Sequence, residues 1–130
     1  MYASSLRTLR DVEDDKERLK KIDEIIRTIY TEVVHTAKKT KHQFYRHQLP
    51  YDDVDGSRFL ETFYKVNMTD IIKNLRLKFP CCSIEYKILY GENFNDVTGS
   101  EQHMFKYLHR SSIAPYIVID WSHDVPFMSQ

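Results

Sequence analysis

The sequence predicts an α+β domain, with a small three-stranded sheet packed by helices and a long N-terminal helix. Three observations support this prediction. Apolar residues recur at helical spacing in the first third of the chain: Ile22, Ile25, Ile26, Ile29, Val33 and Ala37. Apolar and charged residues alternate over 83–90 (SIEYKILY), as they do in a half-buried strand. The run at 116–121 (YIVIDW) is apolar on both faces, which is typical of a central strand.

The first helix is predicted over 10–40, and its apolar stripe becomes sparse towards the N-terminus. Leu6, Leu9, Val12 and Leu19 extend the stripe backwards through a highly charged stretch, DVEDDKERLKK. Acids come early and bases late in that stretch, which suits the helix dipole. We therefore expect residues 1–19 to form a helical extension that projects from the domain and binds a partner.

Two strands and two helices are predicted in the middle of the chain. Residues 42–49 (HQFYRHQL) have a β-type composition and end at Pro50. A loop, YDDVDGS, is expected before a short helix over 57–65. A clearer helix is predicted over 68–79, capped by Asn67 or Thr69 and ended by Pro80. The strand at 83–90 follows it.

The last third of the chain contains a further helix prediction and the C-terminal tail. Ser100 begins a predicted helix over 100–110, with apolar residues on one side. No repeat or flexible linker interrupts the chain, so residues 20–122 are predicted to form a single domain. Residues 123–130 form a tail in which Phe127 and Met128 are candidate partner-binding residues.

The composition restricts the classes of function. The chain has 130 residues, with 19 Lys+Arg and 19 Asp+Glu, so its formal net charge is zero. A strongly basic nucleic-acid-binding protein is therefore excluded, although a local basic patch is not. The sequence shows neither a signal peptide nor an apolar run long enough to span a membrane. The two cysteines, Cys81 and Cys82, are adjacent and not expected to pair, which favours a reducing compartment.

Motifs for catalysis or metal binding are weak. The acidic loop contains Asp52, Asp53 and Asp55, but it lacks the glutamate that ends a calcium-binding loop. Glu85 and Asp120 lie on predicted strands and are the other candidates for a metal-dependent hydrolase. The six histidines show no zinc spacing, and the chain has only 3 glycines for a phosphate-binding loop. We expect no enzyme activity, no cofactor and no metal.

A basic stretch offers an alternative function. Residues 38–47 (KKTKHQFYRH) mix cations with aromatic rings, which is the combination that binds single-stranded nucleic acid. The candidate residues are Lys38, Lys39, Lys41, Tyr45 and Arg46. The ordinary interpretation is a helix that ends in cations and a strand whose aromatic residues pack inward.

Four runs resemble small proteins encoded by large nucleocytoplasmic DNA viruses of protists and algae. They are IYTEVVHTAKKTK (29–41), HQLP (47–50), NMTDIIKNLRLKFPCCSIEYKIL (67–89) and YIVIDWS (116–122). The family has no established activity, so the resemblance carries over no functional residue. The chain departs from the family at Cys81, where a polar residue is usual, and in the segment 91–112.

The resemblance implies a viral protein made in the host cytoplasm. With the sparse apolar stripe of residues 1–19, it predicts a non-enzymatic protein–protein interaction protein, in concrete terms a minor capsid or virion component. Its expected partners are other protein subunits of the particle. The alternatives are a nucleic-acid-binding module that uses 38–46 and, second, a small metal-dependent hydrolase.

Overall fold

The computed structural model describes residues 3–54, 57–98 and 113–123. These residues form two helices and six strands, which in chain order are α1 (Ala3–Lys39), β1 (Phe44–Gln48), β2 (Tyr51–Val54), β3 (Ser57–Leu60), α2 (Thr62–Lys78), β4 (Ser83–Tyr90), β5 (Asn95–Asp96) and β6 (Ile113–Asp120). The predicted α+β class and the long N-terminal helix are confirmed. The predicted helix over 100–110 and the tail residues Phe127 and Met128 lie outside the described residues.

The main sheet is antiparallel and has four described strands, in the order β1-β6-β4-β5. The prediction gave three strands and lacked β5, which is two residues long and too short to show an alternating pattern. β5 pairs with the end of β4, where Leu89 lies opposite Asp96. As predicted, β6 is a central strand, with β1 on one side and β4 on the other.

The predicted helix over 57–65 is wrong for residues 57–60, whereas residues 62–65 belong to α2. Residues 57–60 form β3, which pairs with β2 in a separate two-stranded sheet, so most of the predicted loop YDDVDGS is also strand. α2 begins at Thr62 and continues without a break to Lys78. Asn67 and Thr69, the predicted caps, are therefore interior helix residues, and the Nδ2 of Asn67 donates a hydrogen bond to the carbonyl of Phe63 at 2.9 Å. The predicted end of this helix at Pro80 agrees with the structure to within two residues.

A single core lies between the helices and one face of the sheet. The inner face of the sheet follows from the register, in which Ile84 lies opposite Ile119 and Tyr86 opposite Ile117. The core consists of residues of α1, α2, β4 and β6, with Leu49 from the link after β1: Ile22, Ile25, Ile26, Ile29, Val33, Leu49, Ile71, Leu75, Ile84, Ile117 and Ile119. The predicted stripe of α1 is thus buried from Ile22 to Val33.

We predict that truncating Ile117 to alanine destabilises the fold by about 2–5 kcal/mol, because this side chain is fully buried and its loss leaves a cavity. The measurement is urea-induced unfolding followed by circular dichroism. Val66→Ala in α2 is the matched control, since Val66 is 73% exposed and its truncation is expected to change stability by at most about 0.5 kcal/mol. Equal losses in the two variants would contradict the assigned core.

Candidate interaction surfaces

The N-terminal half of α1 carries four exposed apolar side chains, which we call the arm surface. The exposed fractions are 56% for Leu6, 53% for Leu9, 45% for Val12 and 50% for Leu19. All four precede Ile22, the first α1 residue of the core, which is 3% exposed. Large apolar residues at these exposures over four turns of one helix form a patch of the kind that marks interaction sites.

Two residues of the arm surface, Val12 and Leu19, continue the stripe that the core buries. Val12, Leu19, Ile26 and Val33 are spaced seven residues apart, and seven residues fall about 20° short of two helical turns. They therefore lie on nearly the same face of α1. Ile26 and Val33 are buried, whereas Val12 and Leu19 are not. Val12 lies before Arg18, the first α1 residue with a described hydrogen bond to α2, and Leu19 lies just after it, whereas the buried α1 residues begin at Ile22.

Arg18 marks the place where α1 meets the body of the domain. Its Nη1 donates to Asn67 Oδ1 at 3.1 Å and to Asp70 Oδ2 at 2.8 Å, both on α2. Its Nη2 donates to Asp15 Oδ1 at 3.0 Å, within α1. The hydrogen bonds with Asp15 and Asp70 raise the pKa of Arg18 above its ordinary value. One turn later, Lys21 Nζ lies 4.2 Å from the centre of the Phe63 ring.

Before Arg18, two ion pairs join side chains within α1. Arg10 pairs with Asp14 at 4.0 Å, and Lys16 pairs with Glu13 at 3.4 Å. Each such exposed pair adds only about 0.2–0.5 kcal/mol to helix stability. These ion pairs support the helix of the arm and leave its apolar residues uncovered.

The basic stretch is divided between two faces of the structure. Lys38 and Lys39 are exposed in the last turn of α1, and Lys41 is exposed in the link to β1. Tyr45 and Arg46 are neighbours on β1, so their side chains point to opposite faces of the sheet. Tyr45 packs on the inner face against the core. The structure therefore does not bring the ring of Tyr45 and the cation of Arg46 to one surface.

On the inner face, Tyr45 interacts with a histidine. The Tyr45 hydroxyl and His47 Nδ1 share a hydrogen bond of 3.2 Å. Burial lowers the pKa of His47, and the charge of Glu32 on α1 opposes this effect in part. Burial, followed by the charge of Glu32, raises the pKa of the Tyr45 hydroxyl. Both groups are therefore held in their neutral forms at neutral pH.

On the outer face, Arg46 belongs to a ring cluster that consists of Phe44, Arg46, Phe94 and Tyr116. Arg46 Cζ lies 4.3 Å from the centre of the Phe44 ring and 4.2 Å from that of Phe94. The Phe94 ring also contacts Tyr116 edge to face, at 5.9 Å between centres. Such stacking fixes the plane of the guanidinium and leaves its N–H edges for a ligand.

Phe94 holds an unusual backbone conformation in the turn between β4 and β5. Its φ is +53°, a left-handed value that is costly for a bulky side chain. The contacts of its ring with Arg46 and Tyr116 offset this cost. The sequence does not identify Phe94 and Tyr116 as site residues, since nothing in the local pattern of the turn (GENFND) indicates a contact with β1.

The two carboxylates proposed as a hydrolase pair both lie on the outer face, but each has its own partners. Glu85 Oε2 forms an ion pair with Lys87 Nζ at 3.5 Å. Asp120 Oδ1 accepts hydrogen bonds from the backbone N–H and the hydroxyl of Ser122, at 2.7 Å and 2.5 Å. Burial opposes the ionisation of Asp120, yet its pKa lies below the ordinary value because the Ser122 hydrogen bonds stabilise the carboxylate. Asp120 is therefore ionised at neutral pH.

The remaining candidate ligands do not form a described metal site. Asp52 and Asp53 lie on β2, and Asp55 lies outside the described residues. Within 3–54, 57–98 and 113–123, no three His, Cys, Asp or Glu side chains are grouped to hold a metal ion. Cys81 and Cys82 are free, and burial raises the pKa of the Cys82 thiol, so its thiolate is disfavoured.

A groove of about 890 Å³ lies between α2 and β4. Its apolar lining includes Met68, Ile72, Leu77 and Tyr86. Arg76 crosses it and donates through Nη2 to the carbonyl of Ile84 at 3.0 Å. The sequence patterns did not predict this groove, because it depends on where α2 crosses the sheet.

No described helix combines the length and the apolar character needed to cross a membrane.

Comparison with known proteins adds no relative: no family model, no curated protein and no solved structure matches the chain.

We predict that Phe94→Gly is more stable than Phe94→Ala by about 1 kcal/mol, because glycine adopts a positive φ without steric cost. Both variants lose the ring contacts and are less stable than the parent. Thermal unfolding measures the difference. Phe44→Gly and Phe44→Ala are the control pair, for which the order reverses, since Phe44 lies in a strand. The same order in both pairs would contradict the left-handed conformation of Phe94.

Folding stability is predicted to fall as the pH drops below about 6.5, because His47 has a lowered pKa in the folded state and protonation favours the unfolded chain. Above that pH the histidine is neutral in both states, and its contribution is constant. Urea unfolding at pH 7.5 and pH 5 tests this. His47→Gln is expected to reduce the difference between the two pH values, whereas His35→Gln, at an exposed position, is not. If the free energy of unfolding of His47→Gln differed between pH 7.5 and pH 5 as much as that of the parent, the prediction would be contradicted.

Proposed function

We propose that the chain is a non-enzymatic protein–protein interaction protein, and in concrete terms a minor structural component of a large DNA virus particle. The observation that carries the proposal is the arm surface, in which Leu6, Leu9, Val12 and Leu19 remain 45–56% exposed along one projecting half-helix. Burial of such side chains against another protein contributes roughly 25 cal/mol for each Å² of apolar area removed from water. The viral assignment is supported by the four runs that resemble proteins of these viruses.

The domain and the arm have different tasks in this proposal. The body is held by its own core, so it provides a fixed base from which α1 projects. The ion pairs of Arg10 with Asp14 and of Lys16 with Glu13 lie within the arm, and the arm gains further contacts when it binds neighbouring subunits. The protein would be made in the host cytoplasm and incorporated there into particles.

The two alternative functions have less support in the site geometry. For nucleic-acid binding, Tyr45 packs inward, so its ring is not on the surface with the cations. The outer face of the sheet also carries three acids, which disfavour a polyanion such as single-stranded nucleic acid: Glu85, Asp96 and Asp120. Each carboxylate of the Glu85/Asp120 pair already has a cation or hydroxyl partner.

Removal of residues 1–19 is predicted to leave a folded domain, because the α1 part of the core begins at Ile22. The truncation removes the exposed ion pairs of the arm, which contribute little, and the donor that Arg18 supplies to Asn67, so the domain is expected to be less stable but still folded. Calorimetry should show one cooperative transition for the truncated chain. Loss of cooperative unfolding would mean that the arm is part of the core, and the proposal would fail.

A photo-crosslinking residue at position 12, in chain expressed in infected cells, tests for the partner directly. The proposal predicts covalent products with structural proteins of the particle. The matched control carries the same residue at Glu17, which is exposed on the same half-helix but is not part of the arm surface. Replacing Leu6, Leu9 and Leu19 with Gln should abolish the products at position 12 without unfolding the chain. Equal crosslinking from positions 12 and 17, or none from position 12, would contradict the proposal.

A further inference from the structure

The strand β1 presents an unpaired edge. Among residues 3–54, 57–98 and 113–123, β1 ends the sheet order and pairs with β6 alone. The N–H of Leu49 donates to the carbonyl of Pro115 at 2.9 Å, and the N–H of Trp121 donates to the carbonyl of Gln43 at 2.9 Å. Since every second residue of an antiparallel strand faces its partner, Tyr45 and His47 direct their backbone groups towards β6. Phe44, Arg46 and Gln48 direct theirs away from it, towards the open edge.

No strand lies beside this edge in the part of the chain that the structure describes. An open row of N–H and C=O groups is a template for a further strand. Peptides that add to such an edge gain affinity from main-chain hydrogen bonds and specificity from alternate side chains. Here the alternate side chains on the outer face are those of Phe44, Arg46 and Gln48.

The charge of Arg46 has no partner among the described residues. Its guanidinium contacts the rings of Phe44 and Phe94, but neither a hydrogen bond nor an ion pair of Arg46 is found there. The acids of the same face are already engaged. Lys87 Nζ lies 3.5 Å from Glu85 Oε2 and 3.4 Å from Asp96 Oδ2, while Asp120 accepts from Ser122. The guanidinium of Arg46, whose plane is held by the two rings, therefore lies beside the open edge of β1 with N–H groups that can donate to a ligand.

We propose that the edge of β1 binds an extended segment of a partner protein by strand addition, and that Arg46 selects an acidic side chain in that segment. A residue paired with Arg46 would have its Cβ about 5 Å from that of Arg46, on the same face of the sheet. A carboxylate there accepts two parallel N–H bonds from one guanidinium. One unpaired arginine matches one carboxylate, whereas three acids on the same face repel a nucleic-acid chain.

This inference goes beyond the arm surface, because β1 lies on the sheet and not on the projecting half of α1. The two surfaces can therefore be tested separately. The full chain with Gln at the arm positions Leu6, Leu9, Val12 and Leu19 is expected to bind β1 peptides as the parent does. Absence of crosslinked products from position 12 of the otherwise unchanged chain, with peptide binding at β1 retained, would refute the proposed function and leave this inference intact.

The test is a selection of random nine-residue peptides against the full chain and against Arg46→Glu. The parent is expected to enrich peptides with Asp or Glu at one fixed position, and Arg46→Glu to enrich Lys or Arg at that position. For the best peptide of the parent, Arg46→Gln should weaken binding by roughly 10- to 100-fold. Lys38→Gln, which removes an exposed cation at the end of α1, is the control and should bind equally well.

Hydrogen exchange of the complex tests the geometry. Strand addition predicts that the amides of Phe44, Arg46 and Gln48 slow by at least about 10-fold, with smaller changes at Tyr45 and His47, which already face β6. Three results would overturn the inference: no enriched peptide, no acidic preference, or unchanged exchange at the three amides. Slower exchange at these amides with a single-stranded oligonucleotide, and not with peptides, would also overturn it. Arg46→Gln that aggregates but binds the peptide as the parent does would mean that Arg46 only protects the edge, and it would overturn the inference too.

Discussion

The structure depends on the packing of one stripe of α1 against the inner face of the sheet. Ile29 in this stripe and Ile117 and Ile119 in β6 are fully buried. β6 in turn pairs with both β1 and β4, so the strand that contacts the stripe also holds the sheet together. Ile71 and Leu75 of α2 join the same core. Without this contact neither helix would have a surface on which to pack.

The same stripe explains why half of α1 is left without a partner. Val12 and Leu19 repeat the seven-residue spacing of Ile26 and Val33, but α2 first meets α1 at Arg18, through Asn67 and Asp70. The apolar pattern is therefore longer than the domain that covers it. Asn67 is buried, and its side chain accepts a hydrogen bond from Arg18 and donates one to the carbonyl of Phe63. This small polar network fixes the place where the covered and uncovered parts of the helix divide.

Much of the fold could be predicted from periodicity, because α1, β4 and β6 are long enough to display their pattern. The sequence SRFL (57–60) could not be assigned reliably, since four residues fit either a strand or a helical turn, and only the pairing with β2 decides. β5 could not be predicted for the same reason, since its two residues are too few to show a pattern. For the candidate site, Lys38, Lys39 and Lys41 are exposed as expected, but grouping Tyr45 with Arg46 ignored the alternation of side chains along a strand.

The ring cluster could not have been predicted from the sequence. Phe94 lies in a polar turn far along the chain from Arg46, and it reaches Arg46 only because the sheet order places β6 between β1 and β4. Its left-handed backbone is equally a product of tertiary contacts. The unpaired edge of β1 likewise follows from strand order, which a single sequence does not reveal.

The central claim is that α1 consists of a covered part and an uncovered part that meet near Arg18. Amide hydrogen exchange along α1, measured on dilute monomeric chain, tests it most directly. The account predicts strong protection after Ile26, approaching that of global unfolding, and weak protection before Arg18, where exchange occurs by local opening of the helix. Uniformly strong protection from Leu9 to Val33 in the monomer would contradict it, because the arm would then be covered by the chain itself.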